Sequence, residues 1–443
     1  MYNTPLFDAL KQYQKLGYSP FFMPGHKLGE GIPSAFQLDL TELEETDNLH
    51  IPSSVIKQAQ ALLAAAFGAK DSFFLVNGST SGIQAMFLCA FKPGDKVIIP
   101  RDCHVSCISA IMLTGIVPVF IEPEFIPSLG IYGGVSPQKI QQAVNEHPDA
   151  KAVYLTSPTY YGFCSDLSQI CRIAHQNNMI VLVDEAHGAH FQFHDKLPRT
   201  VLSQGADLCV QSAHKTLPAL TQGAYLHSRG TICRQMIQNA LDLLLTSSPS
   251  YLLMAYLDIA RAVMEKDGKA IWDEIICRCH FLPLDHLKTA KDFKGSYAIS
   301  DTDPSRITVF GDFSSFPFAE YKIAPEMANQ TCAVFLPSAG NGQKDYGALE
   351  QLLSELSDTN IRSFSPPPRS QAVKPLRESY FSEKDTVPLA DSIGRICGSV
   401  IAPYPPGIPV LLPGELITKE TVQYLQQTKS PLFGIHQTIT VLK

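Results

Sequence analysis

The chain has 443 residues, 45% of them hydrophobic and 17% charged, with a formal net charge of −7. That length carries apolar material for two or three structural units, and the acidic balance gives no basic surface for nucleic acid or an anionic membrane. Its eleven cysteines are odd in number and scattered through apolar runs such as Leu88-Cys89-Ala90, the pattern of reduced core thiols in a cytoplasmic protein, not of a disulfide framework.

Residues 1–20 predict an amphipathic helix, with Leu6, Leu10, Tyr13 and Leu16 at helical spacing and no basic-then-apolar leader pattern. Two polar loops follow, at 21–29 and 39–50. From residue 54 the pattern alternates. Helices are predicted at 55–67, 81–91, 107–114, 137–146 and 167–177, and strands at 72–76, 96–100, 117–121, 152–155, 180–183 and 206–211. Near-continuous apolar strands alternating with helices predict an α/β fold whose mostly parallel sheet is covered on both faces. The longest apolar stretch, 107–121, is interrupted by Gly115 and Pro118 and is too short for a membrane span. Residues 229–295 predict long helices broken at Thr246-Ser247-Ser248-Pro249-Ser250-Tyr251. Past residue 300 a strand at 306–310 opens a smaller α+β unit, and Ser365-Pro366-Pro367-Pro368 is an extended connector. The expected division is an N-terminal arm with active-site loops (1–53), a major domain (54–300) and a C-terminal α+β domain (301–443).

In such a sheet ligands sit beyond the carboxyl ends of the strands. Those ends carry Asn77-Gly78-Ser79-Thr80, Arg101-Asp102-Cys103-His104, Thr156-Ser157-Pro158-Thr159-Tyr160-Tyr161-Gly162, Asp184 and Lys215. Lys215 follows a buried strand, where burial disfavours the ammonium and frees an amine to condense with an aldehyde; the alternative is a surface lysine in a turn. Asp184 ends an apolar strand, and a buried carboxylate calls for a cationic or donating partner. A strand-end acid followed by a strand-end lysine is how a pyridoxal 5'-phosphate site is built. Gly78, Ser79 and Thr80 at a helix start suit a phosphate, or form an ordinary helix cap. His104 either stacks on an aromatic cofactor ring or caps a helix. His187, His190 and His194 beside Glu185, and Cys277-Arg278-Cys279-His280, lack the order and second cluster of a metal site, so no metal is expected.

Together these stretches resemble the fold type I, pyridoxal-phosphate-dependent ornithine/lysine/arginine decarboxylases, whose fold is that of aspartate aminotransferase. The resemblance is carried by Pro24-Gly25-His26-Lys27, Asp39-Leu40-Thr41-Glu42-Leu43, Thr46-Asp47-Asn48-Leu49, Asn77-Gly78-Ser79-Thr80-Ser81-Gly82, Ser157-Pro158-Thr159-Tyr160-Tyr161-Gly162, Asp184-Glu185-Ala186-His187-Gly188-Ala189-His190, Ser212-Ala213-His214-Lys215-Thr216, the Thr246 to Tyr251 break and Pro403-Tyr404-Pro405-Pro406-Gly407-Ile408-Pro409 with Pro413-Gly414-Glu415. It implies that Lys215 is the Schiff-base lysine, Asp184 the partner of the pyridinium nitrogen and His104 the ring-stacking residue. Gly78, Ser79, Thr80, Ala186, His187, Ser212 and His214 would complete the cofactor site. Thr246 and Ser247 would reach the phosphate in a neighbouring subunit, implying a homodimer with shared sites; the alternative is a simple interhelical turn capped by Ser248. The implied activity is decarboxylation of arginine, lysine or ornithine in the cytoplasm, feeding polyamine metabolism. A distal-amine reader is sought among Asp47, Asp102 and Glu415. Arg101-Asp102-Cys103-His104-Val105-Ser106 departs from the usual Arg-Asn-x-His-Lys-Ser at Asp102 and Val105. The N-terminal wing domain of the longest relatives is expected to be missing. Transamination is disfavoured because 216–226 holds no arginine; a non-catalytic regulatory relative is disfavoured by the intact Lys215 and Asp184.

Overall fold

The computed structural model describes residues 19–21, 47–356, 363–428, 430–435 and 438–443. Of the predicted first helix only Ser19 and Pro20 are described, and they belong to a short strand, Ser19–Phe21, paired in parallel with Ile323–Pro325; its other residues, the Pro24 to Lys27 loop and the Asp39 to Thr46 stretch lie outside the described residues. Seven strands form the central sheet: β1 (Asp71–Leu75), β2 (Lys96–Pro100), β3 (Val117–Ile121), β4 (Ala152–Thr156), β5 (Ile180–Asp184), β6 (Leu208–Gln211) and β7 (Ala224–Ser228). Their order is β1-β7-β6-β5-β4-β2-β3. The run from β6 to β3 is parallel, whereas β7 is antiparallel to both β6 and β1. The sequence reading missed β7. Its Ala-Tyr-Leu-His-Ser holds a histidine and a serine, yet every residue is buried.

Strand alternation explains why the sheet needs cover on both faces. Val97 and Ile99 of β2 and Leu182 of β5 pack into one core, and Ile98, Val181 and Val183 pack into another. The first core takes α1 (Val55–Phe67), α2 (Gly78–Ala90) and α3 (Val105–Thr114). The second takes α4 (Pro137–Glu146) and α5 (Leu167–Gln176).

The region expected to be helical to residue 295 holds α6 (Arg234–Leu244) and the 30-residue α7 (Tyr251–His280). Helix α7 stops short because Pro283 denies the next turn a backbone donor. Its N-cap is Ser250, whose side chain accepts the Leu253 N–H, so Ser248 does not cap it. Beyond 300, Ile307–Phe310, Cys332–Phe335 and Met327–Ala328 form an antiparallel sheet. Lys384–Pro388 pairs with Thr438–Leu442 in the last ribbon. Among the described residues no helix is long and apolar enough to cross a membrane.

Candidate active site

Helix α2 lies unusually close to the sheet because residue 82 is glycine. A Cβ there would meet Val210 Cγ2 at 2.5 Å and Leu75 Cδ1 at 2.6 Å. Held this way, the start of α2 reaches the end of β6: Ser212 Oγ donates to Ser79 Oγ at 2.9 Å. The Gly78 N–H donates to the Gln222 carbonyl at 3.0 Å. The chain then makes one helical turn, Ala213–Thr216, where a plain loop was expected, and this turn aims Lys215 inward. His214 is anchored by its Nδ1, 3.0 Å from the Gly223 carbonyl.

The strand ends converge on one cavity. Ser79, Asp102, His104, Thr156, Tyr160, Asp184, Ala186, His187 and Lys215 line it, and Tyr132, Tyr161, Pro406 and Ile408 close it. Gly78, Thr80, Ser212, His214, Thr246 and Ser247 are not among the lining residues. Ser212 and His214 stand behind the wall through the contacts given above. Thr80 is exposed, and so are Thr246 and Ser247. A wider groove adjoins the cavity between the proline connector and residues 403–410, sharing Tyr132, Tyr161, Pro406 and Ile408 with it.

Lys215 Nζ lies 3.0 Å from His187 Nε2. Burial pushes the lysine down to about 8, against the upward pull of the Asp184 and Glu326 carboxylates. Burial raises Asp184, while Lys215 and the Ala186 N–H, 3.0 Å from Oδ1, oppose the rise. His104 is pushed down to about 4 by burial and by Lys215. It does cap α3, its Nδ1 accepting the Ser106 N–H at 3.2 Å, while its ring also faces the cavity. Gly407, at φ +84°, backs that ring so closely that a Cβ would stand 3.0 Å from its Nε2. Burial holds His187 well below its usual range, with Lys215 and Arg306 adding to the shift.

Two of the three acids considered for a distal cation are already committed. Asp47 lies at the head of α1 and accepts backbone N–H groups from Ser53, Ser54 and Ile56 at 2.7 to 3.0 Å. Burial pushes its carboxyl up, but these donors together hold it well below the usual range. Glu415 is buried against Arg101 at 3.2 Å and accepts the Leu412 N–H at 2.8 Å. Asp102 alone of the three lines the cavity, and burial pushes it up to about 7.

The other histidines of the Asp184 stretch turn away from one another. His190 pairs with Asp303 at 3.1 Å and His194 with Asp273 at 2.8 Å. Among the described residues no three His, Cys, Asp or Glu side chains converge as a metal site. Glu185 is also structural: it accepts the Val201 N–H and the Gln211 amide, and burial pushes it up to about 8.

Of the cavity residues, Tyr132 escaped the sequence reading, while Thr156, Tyr160 and Ile408 were named within their stretches but given no role of their own. Arg306 stands behind His187, its Nη1 3.2 Å from the ring Nδ1. Its signal was a basic residue opening a buried strand, with Asp303 three positions earlier. The set fits pyridoxal phosphate. A buried amine faces a buried carboxyl across a cavity with aromatic and imidazole walls, a helix start lies at one end, and Thr156 Oγ1 is buried without a hydrogen-bond partner.

The Orn/Lys/Arg decarboxylase major-domain model matches residues 4–294, and the C-terminal-domain model of the same group matches 356–432. An arginine decarboxylase of Bacillus anthracis is 36% identical over 459 residues, covering 96% of this chain and 93% of that protein. An arginine decarboxylase of Bacillus subtilis is 34% identical over 456 residues, with the same coverage of 96% and 93%. The solved lysine decarboxylase A from Pseudomonas aeruginosa superposes with a TM-score of 0.76 at 20% identity, covering 92% of this chain and 74% of that one. At that identity the superposition shows the fold alone, and the fold is that of the fold type I enzymes.

Proposed function

The chain belongs to the Orn/Lys/Arg decarboxylase family, and on that premise we propose that it is a pyridoxal-phosphate-dependent arginine decarboxylase. The observation that carries this is the cavity in which Lys215, Asp184, His104 and His187 meet at the ends of β2, β5 and β6. The choice of arginine rests on the names of relatives that match almost end to end.

Bound here, the cofactor supplies an aldehyde that captures the substrate's α-amine and a ring that accepts the electron pair left when carbon dioxide departs. Lys215 would hold it covalently, its amine brought within reach of neutrality by burial. Asp184 would keep a proton on the pyridine nitrogen, which matches a carboxylate that is buried and lacks a cationic partner other than Lys215. His104, neutral at pH 7, would lie against the ring, with Gly407 behind it leaving no room for retreat. The first turn of α2 with Gly78, Ser79 and Thr80, together with Ser212 and His214, would hold the phosphate; the Gly78 N–H is spent on the Gln222 carbonyl, so the donors there would be the amides that follow it and the side-chain hydroxyls. Ala186 orients Asp184 through its N–H. His187 Nε2 stands close enough to Lys215 Nζ to exchange a proton with it.

Asp102 is the acid assigned to the guanidinium, because Asp47 and Glu415 are occupied. Tyr132 and Tyr161 would shield that pair from water. The protein is proposed to be a cytoplasmic homodimer. Its eleven cysteines are all unpaired, nine of them buried, which suits a reducing compartment. Ile51 and Leu243 are 77% and 78% exposed, and the His50 contacts to Asp242 and to the Thr246 carbonyl join their two segments. A partner covering this patch would bring Thr246 and Ser247 to its own cofactor phosphate. The product amine would feed polyamine metabolism, and the domain division at 53/54 and 300/301 is retained as part of this reading.

The test is carbon dioxide and amine release from arginine, lysine and ornithine by the purified protein and by Lys215→Ala. We expect release from arginine at the highest kcat/KM and none above background from the variant, which should keep its circular dichroism spectrum. Keto-acid formation without carbon dioxide would replace decarboxylation by transamination.

A further inference from the structure

Arg306 lies 91 positions beyond Lys215 in the chain and does not touch the cavity, yet its guanidinium is fixed against a ring that does. It is buried at the entry to the strand Ile307–Phe310. Nη1 donates to the Tyr160 carbonyl at 2.8 Å and lies 3.2 Å from His187 Nδ1. Asp303 Oδ2 stands 4.0 Å from its Nε. The His187 ring is further held by an edge contact with Tyr160, centroids 5.2 Å apart.

A guanidinium has donors only. Facing Arg306, His187 Nδ1 must therefore accept, and a neutral imidazole that accepts at Nδ1 carries its proton on Nε2. That proton points at Lys215 Nζ, 3.0 Å away. An amine has a lone pair to receive it, whereas an ammonium has only donors of its own. The contact thus favours one protonation state of the lysine. We propose that Arg306 is a positioning residue: by fixing the His187 tautomer it makes His187 a donor to the neutral amine of Lys215 and so primes that amine to capture an aldehyde. This deepens the decarboxylase reading and rests on it for the aldehyde's identity.

The groups around the lysine are consistent with this balance. Asp184 and Glu326 pull its titration upward, and burial with Arg306 pulls it downward, to about 8. Glu326 accepts the Tyr160 hydroxyl at 2.6 Å. His104 also faces the lysine and stays neutral above about 4. Replacing Arg306 leaves Asp303 with His190 and Ser305 as partners, so the substitution does not by itself strand a buried charge.

The test uses the full chain stripped of cofactor. The pH-rate profile of Lys215 is read by trace labelling with acetic anhydride and mass spectrometry of its peptide, and separately by the rate of pyridoxal phosphate capture. Arg306→Met releases His187 to turn its acceptor toward the ammonium, so the lysine midpoint should rise by about one unit, a roughly tenfold loss of reactive amine at pH 7. Arg306→Gln keeps a donor but loses the charge that also lowers the lysine, so its midpoint should rise by clearly less than that of the Met variant. Equal midpoints in all three proteins would overturn the proposal, as would Gln shifting as far as Met. If the Met variant does not fold, nitrogen-15 histidine NMR of the unmodified chain decides the matter. His187 must be the Nε2–H tautomer from pH 6 to 8, and an Nδ1–H tautomer or an imidazolium refutes it. A protein that never captures pyridoxal phosphate would refute the function while leaving the labelling and NMR results to judge Arg306.

Discussion

Asp102→Asn puts the family's usual residue back at the one acid of the three that opens on the cavity. A carboxyl holds a guanidinium only when ionised, and burial pushes Asp102 up to about 7. Below that pH the substrate must displace a proton before it binds. In the parent protein KM for arginine should therefore rise about tenfold per unit as pH falls below about 7, and level off above it. The charge-assisted bond is worth roughly 1.5–3 kcal/mol, so its loss should raise KM about tenfold to a hundredfold at pH 8. Because the contact is made at the far end of the substrate, kcat at saturation should change far less. The assay is initial-rate carbon dioxide release at pH 5.5 to 8.5 over a range of arginine concentrations. The His104 and His187 shifts both run downward, away from this window, so they do not mimic the transition. If Asp102→Asn keeps its KM, or keeps the break near pH 7, the carboxylate does not read the guanidinium.

Asp184→Asn should retain cofactor but lose about tenfold to a hundredfold in kcat, measured by single-turnover carbon dioxide release, since an amide stabilises a ring-nitrogen proton less well. Glu415→Ala strands Arg101, which is 3% exposed, and should cost about 3–5 kcal/mol of C-terminal docking in urea melts. The double variant Arg101→Met/Glu415→Met should recover most of that loss, and a failure to recover would deny the pair its role. Mixing Lys215→Ala subunits with Thr246→Ala/Ser247→Ala subunits should restore part of the activity through one intact shared site; no restoration in verified mixed dimers means that each site is built from a single chain.

The residues that could be read from sequence are those whose role is set by their own strand. Asp184 and Lys215 each follow an apolar run, and the run itself says that the side chain behind it is buried. Asp47 and Glu415 show the reverse case. Nothing local reveals that Asp47 is spent on the amides of α1 or that Glu415 meets a guanidinium 314 positions away. Arg306 was unreadable for the same reason, because its meaning depends on His187, 119 positions earlier. Strand β7 was missed because burial came from its neighbours on both sides and not from its own hydrophobicity.

That strand also sets a timetable for synthesis. Within the sheet β1 hydrogen-bonds to β7 alone, Leu75 opposite Ala224 and Asp71 opposite Ser228. The ribosome therefore makes the apolar segment 72–76 about 150 residues before its partner exists, a wait of roughly 8–30 s at ordinary elongation rates. During that wait Ser72-Phe73-Phe74-Leu75-Val76 is an uncharged, unpaired strand of the kind that seeds self-association. A nascent chain arrested before residue 224 should consequently occupy holdase chaperones through this segment, and one arrested after the whole of β7 has left the exit tunnel should be released from them.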